Sequence, residues 1–290
     1  MEIRTAVIPL GGSGTRTLPA ASSTLKGMMS LYVGSEAIPT IDFTVRDCAE
    51  AGIERIIFVT SESGKIALHD YFEDIRPDFE SQLTRLNKQD IINRERERRR
   101  SFNLTFEYIT QDPLGPYGTA YPPYLAKDHL KGESNFLLAG GDDFSYNENG
   151  TSEVGLAIAE WVEAGTDHYI MGNPIDRAEG PKFGNLLVNR QKQLRGIDEK
   201  PQLARVRKHP LANISNYGFN EAIFPFIDEE IARSLRDGQE HFITDVINAA
   251  LSAGQTFQVH ELQGVYMDGG TPQGLLKASN YINNHPRTSK

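Results

Sequence analysis

Two hydrophobic rhythms take turns along the chain. Residues 5–10 (TAVIPL) form a short apolar run that stops at glycines, as a buried parallel strand does. Residues 41–51 place apolar side chains at helical spacing and stop at Gly52, and residues 55–60 (RIIFVT), β-branched and aromatic, predict a strand. The same reading gives a helix over 63–72, strands over 104–109 and 135–139, a helix over 152–164 stopped by Gly165, and a strand over 168–171. Alternation of this kind predicts an α/β fold, Rossmann-like and doubly wound around a mostly parallel (mixed) sheet. Ligands of such sheets bind beyond the carboxyl ends of the strands, so the chemistry is to be sought in the loops that follow them.

Beyond residue 180 the pattern is less regular, with short strands expected over 183–188, 214–219 and 256–262 and helices over 229–235, 241–253 and 271–282. No repeat or low-complexity linker divides the chain, which reads as a single domain over 1–290 with a helical insert at 76–102. Phe79, Leu83 and Leu86 give that insert its helical spacing. The run Arg94-Glu95-Arg96-Glu97-Arg98-Arg99-Arg100 follows them; its mixed signs favour the solvated end of a surface helix over an anion-binding patch.

With 290 residues, 39% hydrophobic and 24% charged, the chain has the balance of a globular protein and can bury a substantial core. A net charge of −9 argues against a generic nucleic-acid binder, which needs a basic surface. The one cysteine, Cys48, excludes an intrachain disulfide and suits a reducing compartment; its helical spacing with Ile41 and Val45 makes it a core residue rather than a nucleophile. The first apolar run is too short for a signal peptide or a membrane span, so a cytoplasmic protein without membrane attachment is expected. The seven histidines show no metal-ligand spacing.

Three loops carry candidate chemistry. Gly11-Gly12-Ser13-Gly14-Thr15-Arg16 lets backbone N–H groups approach an anion, and two cations, Arg16 and Lys26, accompany it. It is neither a P-loop, since no Lys-Ser/Thr pair follows, nor a dinucleotide fingerprint. Gly140-Gly141-Asp142-Asp143 puts carboxylates at a strand end, where they either hold a hard cation such as Mg²⁺ or make an ordinary turn. Met267-Asp268-Gly269-Gly270-Thr271 sets Asp268 either to cap a helix or to complete that metal site. Glu199-Lys200-Pro201, taken alone, is an exposed charge pair.

Taken together, these segments resemble the nucleoside-triphosphate:sugar-1-phosphate nucleotidyltransferases, and within them the bacterial UTP–glucose-1-phosphate uridylyltransferases. The resemblance spans nearly the whole chain: AVIPLGGSGTRTLPA with Lys26, the aspartate after the strand at 135–139, Phe183-Gly184, Glu199-Lys200-Pro201, Ile243-Thr244-Asp245 and Asp268-Gly269-Gly270. The insert beginning at Phe79-Glu80 looks like one that uridylyltransferases carry, and it favours UTP over other nucleotides. The resemblance implies that Gly11 and Gly12 meet base and ribose, and that Gly14, Thr15, Arg16 and Lys26 hold the triphosphate. It further implies that Gln111, Gly115 and Gly118 read the pyrimidine and that Asp142 and Asp268 bind Mg²⁺. Gly184 and Glu199 would hold sugar hydroxyls and Lys200 the sugar phosphate, with Arg16, Lys26 and Lys200 as the catalytic cations. The implied partners are UTP and glucose 1-phosphate, in a homo-oligomer (dimer or tetramer).

The sequence departs from the family's pattern near these residues. Leu25 and Gly27 flank Lys26 where proline and glutamate are usual, Ala21 stands for threonine, Gly141 stands for proline, and the QDPLGPYGTA loop is altered. Two other readings follow: a pyrophosphorylase for another base or sugar (dTTP, or mannose or N-acetylhexosamine 1-phosphate), and a non-catalytic nucleotide-binding regulator. The regulator reading sits poorly with the retention of Asp142, Asp268, Arg16, Lys26 and Lys200.

Overall fold

Strand β1 (Thr5–Pro9) is covered on both faces, Val7 joining one hydrophobic cluster and Ala6 and Ile8 the other. Period-2 alternation of buried aliphatic residues on both sides demands a layer on each face, and a side chain such as Val7 or Ile8 contributes about 1.5–3 kcal/mol when fully buried. The computed structural model describes residues 2–12, 14–233 and 239–287.

After β1 come a hairpin, β2 (Ser30–Val33) and β3 (Glu36–Pro39), then α1 (Thr40–Glu50), β4 (Arg55–Thr60) and α2 (Glu62–Phe72). The insert follows as α3 (Pro77–Arg85) and α4 (Gln89–Ser101), then β5 (Thr105–Thr110), α5 (Tyr121–Ala126) and β6 (Asn135–Ala139). Next are β7 (Asp143–Tyr146), α6 (Glu153–Ala164), β8 (His168–Pro174), β9 (Gly184–Val188), β10 (Leu194–Glu199) and β11 (Leu211–Asn220). The chain then runs through α7 (Phe224–Ala232), α8 (Ile243–Ser252), β12 (Phe257–Glu261), β13 (Val265–Asp268) and α9 (Pro272–Asn284). Of the helix expected over 229–235, the end at Leu235 lies outside the described residues.

Among the described residues, nine strands form the central sheet, in the order β10-β9-β11-β6-β1-β4-β5, with β8 pairing β11 and β12 pairing β8. β1, β4, β5 and β6 run parallel, while β11 is antiparallel to β6 and β8. This is the expected α/β class with a mixed sheet. Cys48 is fully buried in one of the two main cores, as expected. No helix among the described residues is long and apolar enough to cross a membrane.

Two small sheets lie beside the large one: the β2–β3 hairpin, and β7 paired antiparallel with β13. Phe144, Tyr146 and Met267 anchor the second pair in a core shared with Leu31, Ala278 and Ile282. It presents Asp143 directly opposite Asp268.

The insert is two helices rather than one. Asn87 takes the left-handed conformation (φ 57°) between them, and Ile75, Leu83 and Ile92 make a small core of their own. The charged run is not a simple solvated face. Arg98 stacks over the Tyr71 ring at 4.1 Å and donates to Tyr71 O, and Arg99 donates to Asp70 O at 2.8 Å. Arginine stems can cover apolar surface while the guanidinium finds polar partners, so the last turn of α4 holds the insert to α2.

Candidate active site

The glycine loop begins where β1 ends. Leu10 N donates to Val59 O (2.7 Å), extending the strand pairing, and the exposed Gly11 and Gly12 follow. Gly14 sits at φ 61°, a left-handed position that glycine takes without penalty, and a single turn over Thr15–Thr17 closes the loop. Thr15 and Arg16 are exposed, and Arg16 makes no ion pair within the described residues. Ser13 lies outside the described residues.

Gln111 reaches across this loop: a Cβ on Gly11 would stand 2.4 Å from Gln111 Oε1. Gly11, Gly12, Gly14 and Lys26 line one cleft of about 470 Å³, whose opposite wall is Ser61, Ser63, Gly64 and Ala67 at the start of α2. That wall was not anticipated from the sequence, although its signal was present. Ser61 follows the RIIFVT strand directly and caps α2, accepting from Gly64 N at 3.1 Å.

The carboxylates gather around Gly270. Asp142 Oδ2, Asp268 Oδ1 and Lys26 Cε lie 2.7, 3.1 and 3.1 Å from the place a Gly270 Cβ would take. Lys26 Nζ forms an ion pair with Asp142 Oδ2. Asp268 accepts from Gly270 N (2.8 Å) and Thr271 Oγ1 (2.9 Å), and Thr271 Oγ1 in turn accepts from Gly274 N and caps α9. Asp268 thus supports the helix cap while its carboxylate faces Asp142. Asp143 accepts from Tyr266 OH at 3.0 Å; burial first, and then the neighbouring Asp142, push its carboxyl above the ordinary range.

Among the described residues no group of three or more His, Cys, Asp or Glu surrounds a metal position. Two hard carboxylate donors nevertheless fit a cation that takes its other ligands from phosphate oxygens and water. The Lys26 ammonium, paired with Asp142, already sets one positive charge beside this group.

Two departures from the family's pattern, Gly27 and Gly141, stand where neighbouring atoms leave no room for a side chain. A Cβ on Gly27 would stand 2.7 Å from Gly141 O and 2.6 Å from Leu10 Cδ2, and a Cβ on Gly141 would stand 2.7 Å from Pro9 O. The turn carrying Lys26 thus packs through Gly27 onto the backbone of the turn carrying Asp142, while Gly141 is itself confined by Pro9 and Leu10.

At the β9–β10 pair, Glu199 stands opposite Gly184, and a Gly184 Cβ would lie 2.7 Å from Glu199 Oε2. Desolvation raises the Glu199 carboxyl, Lys200 opposing and Asp245 adding. Lys200 holds a left-handed backbone (φ 43°), with its N–H on Phe183 O at 3.2 Å. The buried Tyr217 phenol is raised, chiefly by burial and further by Asp143 and Glu199.

Gly115 and Gly118 shape the loop after Gln111. Gly115 packs near Tyr121 OH, whereas Gly118 (φ 126°) lies so close to His241 that a Cβ would meet its carbonyl oxygen at 2.3 Å. Backbone bonds from Ala120 N to His241 O (2.9 Å) and from His241 N to Tyr117 O (2.8 Å) tie this loop to the start of α8.

A model of the nucleotidyl transferase family matches residues 5–285. Over 288 residues the chain is 27% identical to a UTP–glucose-1-phosphate uridylyltransferase of Bacillus subtilis (strain 168), covering 95% of this chain and 89% of that one. It is 29% identical over 291 residues to a protein of the same name from Mycoplasma pneumoniae, covering 97% and 92%. Its fold matches that of a UTP-bound UGPase of Acinetobacter baumannii with a TM-score of 0.81 and 26% identity, over 99% of this chain and 95% of that chain.

Proposed function

The chain belongs to the nucleotidyl transferase family, and on that premise we propose that it joins UTP to glucose 1-phosphate, forming UDP-glucose and releasing pyrophosphate. The observation that carries this reading is the convergence of Lys26, Asp142 and Asp268 beside Gly270, with Lys26 also lining the cleft of the glycine loop. The uridylyltransferase names of the similar bacterial proteins and the UTP-bound structure support the choice of substrates.

In this reading the triphosphate lies along Gly11, Gly12, Gly14 and Thr15, with Arg16 and Lys26 as its counterions. Gln111, held across Gly11, faces the pyrimidine, and the Gly115–Gly118 loop borders it. Glu199 over Gly184 takes the sugar hydroxyls, and Lys200 takes the sugar phosphate. A phosphate oxygen of glucose 1-phosphate attacks the α-phosphorus of UTP in line, and the bond to pyrophosphate breaks. The nucleophile is already an anion, so no general base is required; the barrier is repulsion between two polyanions. Mg²⁺ held by Asp142 and Asp268 would supply charge neutralisation at the transferring phosphoryl group. Arg16, Lys26 and Lys200 supply the rest from fixed positions.

The test is pyrophosphate release across a panel of nucleoside triphosphates and sugar 1-phosphates with Mg²⁺. Turnover confined to UTP with glucose 1-phosphate is expected, and Asp142→Ala should lower it by on the order of 10²-fold or more. Turnover with another pair favours the second reading, a different base or sugar, which the altered turns at Gly27 and Gly141 support. No turnover with any pair would leave a nucleotide-binding regulator.

A further inference from the structure

Lys26 has two destinations. Its side chain lines the cleft beside Gly11, Gly12 and Gly14, yet its ammonium pairs with Asp142 Oδ2 on the other side. The pair is partly shielded, the Lys26 side chain being 16% exposed and that of Asp142 30%. Lys26 Cε and the oxygens of Asp142 and Asp268 crowd one point beside Gly270, and the ammonium itself lies on Asp142. Asp268 keeps its bonds to Gly270 N and Thr271 Oγ1 and is thereby fixed, and Asp143 is held by Tyr266. Lys26 carries its charge on a long flexible stem beside two anchored carboxylates, Asp143 and Asp268, and pairs with the third, Asp142.

From this geometry we propose that Lys26 is an internal counterion that occupies the metal carboxylate Asp142 in the free enzyme and releases it when a nucleoside triphosphate enters the cleft. Metal and nucleotide binding are thereby coupled through one side chain. A divalent cation cannot share Asp142 with the ammonium at contact distance without strong repulsion. The triphosphate offers Lys26 a richer set of anionic oxygens, draws it across the cleft and bares Asp142. By linkage, a metal that displaces Lys26 turns it toward the phosphates and tightens nucleotide binding by the same factor. The proposal rests on the nucleotidyl-transfer reading for the identity of the two ligands.

The probe is Mn²⁺ alone, its binding to the nucleotide-free protein followed by the electron paramagnetic resonance of the free ion. Lys26→Met should bind Mn²⁺ about tenfold or more tightly than the wild type, while Arg16→Met should stay within about twofold of the wild type. Equal affinity of Lys26→Met and wild type overturns the proposal. So does an equal gain in both variants, which would mean a diffuse field and not a contact.

A second measurement serves if Lys26→Met does not fold. Reductive methylation read by mass spectrometry should label Lys26 slowly in the wild type and about tenfold faster in Asp142→Asn; equal rates overturn the proposal. Turnover is assayed separately. An active enzyme with unchanged Mn²⁺ affinity removes the counterion role alone, and an inactive one with the expected Mn²⁺ and labelling results removes only the choice of reaction.

Discussion

His260 Nε2 lies 2.8 Å from Glu153 Oε1, with Glu160 Oε2 3.0 Å from the other ring nitrogen, so a buried imidazolium joins β12 to the start of α6. Glu153 also accepts from Gln263 N, Gly264 N and Asn147 Nδ2, and so pins the loop that leads into β13 and Asp268. Burial alone would lower the His260 pKa, but the two glutamates outweigh it and raise it; burial would raise Glu153, but its donors outweigh it and lower it. The Glu153 contribution is present above the ordinary value of 4.5 and is lost as pH falls through the depressed one. That of His260 is present below 6.5 and is lost as pH rises through the raised one. Removing one partner of a buried pair leaves an unpaired charge, so Glu153→Gln should cost about 3–5 kcal/mol in urea unfolding at pH 6. A loss below about 1 kcal/mol would show that the ring is neutral in the folded state.

His168 behaves in the opposite way. Its Nδ1 accepts from Asn220 N (3.2 Å) and its Nε2 donates to Gln255 Oε1 (2.7 Å), so a second proton would break the backbone bond. Burial lowers its pKa to about 4 from 6.5. A depressed histidine contributes stability above 6.5 that is lost as pH falls toward 4, at about 1.4 kcal/mol per unit. Asp47, raised by burial to about 6, works in the other direction but is common to wild type and variant. His168→Gln should flatten the wild-type slope between pH 6.5 and 5, as read from denaturation midpoints. Parallel curves for the two proteins would reject the assignment.

Regular elements with strong periodicity were legible in the sequence. RIIFVT and NFLLA are strands over the expected residues, and Gly165 ends α6 in the left-handed conformation. Short elements were not. β7 begins at Asp143 itself and needs β13, more than a hundred residues away, to exist at all, so no local pattern announces it. The β2–β3 hairpin did carry a signal, Gly34 at φ 58° between two four-residue runs, which was passed over. The break at Asn87 was concealed because the apolar spacing of Phe79, Leu83 and Leu86 continues up to it. The candidate site divides in the same way. Asp142, Asp268 and the loop glycines were legible as residues near strand ends, and Lys26 as a cation ten residues beyond the loop, all with a family resemblance. The cap at Ser61 carries a local signal, but its approach to the glycine loop, like the packing of Gly27 on Gly141 O, depends on tertiary contact that spacing along the chain does not encode.

That packing gives a direct test. Gly27→Ala places a Cβ against a backbone carbonyl that cannot rotate away, 2.7 Å from Gly141 O. Overpacking of this kind costs about 1–3 kcal/mol. Separation of the two turns would also move Lys26 from Asp142, so the KM for the nucleotide and kcat should both worsen. Thermal melting together with steady-state kinetics checks this. A variant that matches the wild type in both would mean that the two turns are free to part.

Lys200 separates conformational strain from function. A lysine at φ 43° carries the left-handed penalty of about 1 kcal/mol, which glycine escapes, while glycine loosens the unfolded chain and offsets part of the gain. Lys200→Ala keeps the strain and loses the ammonium; Lys200→Gly loses both. Lys200→Gly should therefore be the more stable of the two variants by about 0.5 kcal/mol in denaturant unfolding. If the ammonium grips the sugar phosphate, both variants should lose turnover to the same degree, on the order of 10²-fold, whatever their stability. Equal losses with unequal stabilities would assign the side chain to the reaction and the backbone conformation to the Phe183 turn. A turnover that followed stability instead would make Lys200 a residue of the turn and leave the sugar phosphate to another cation.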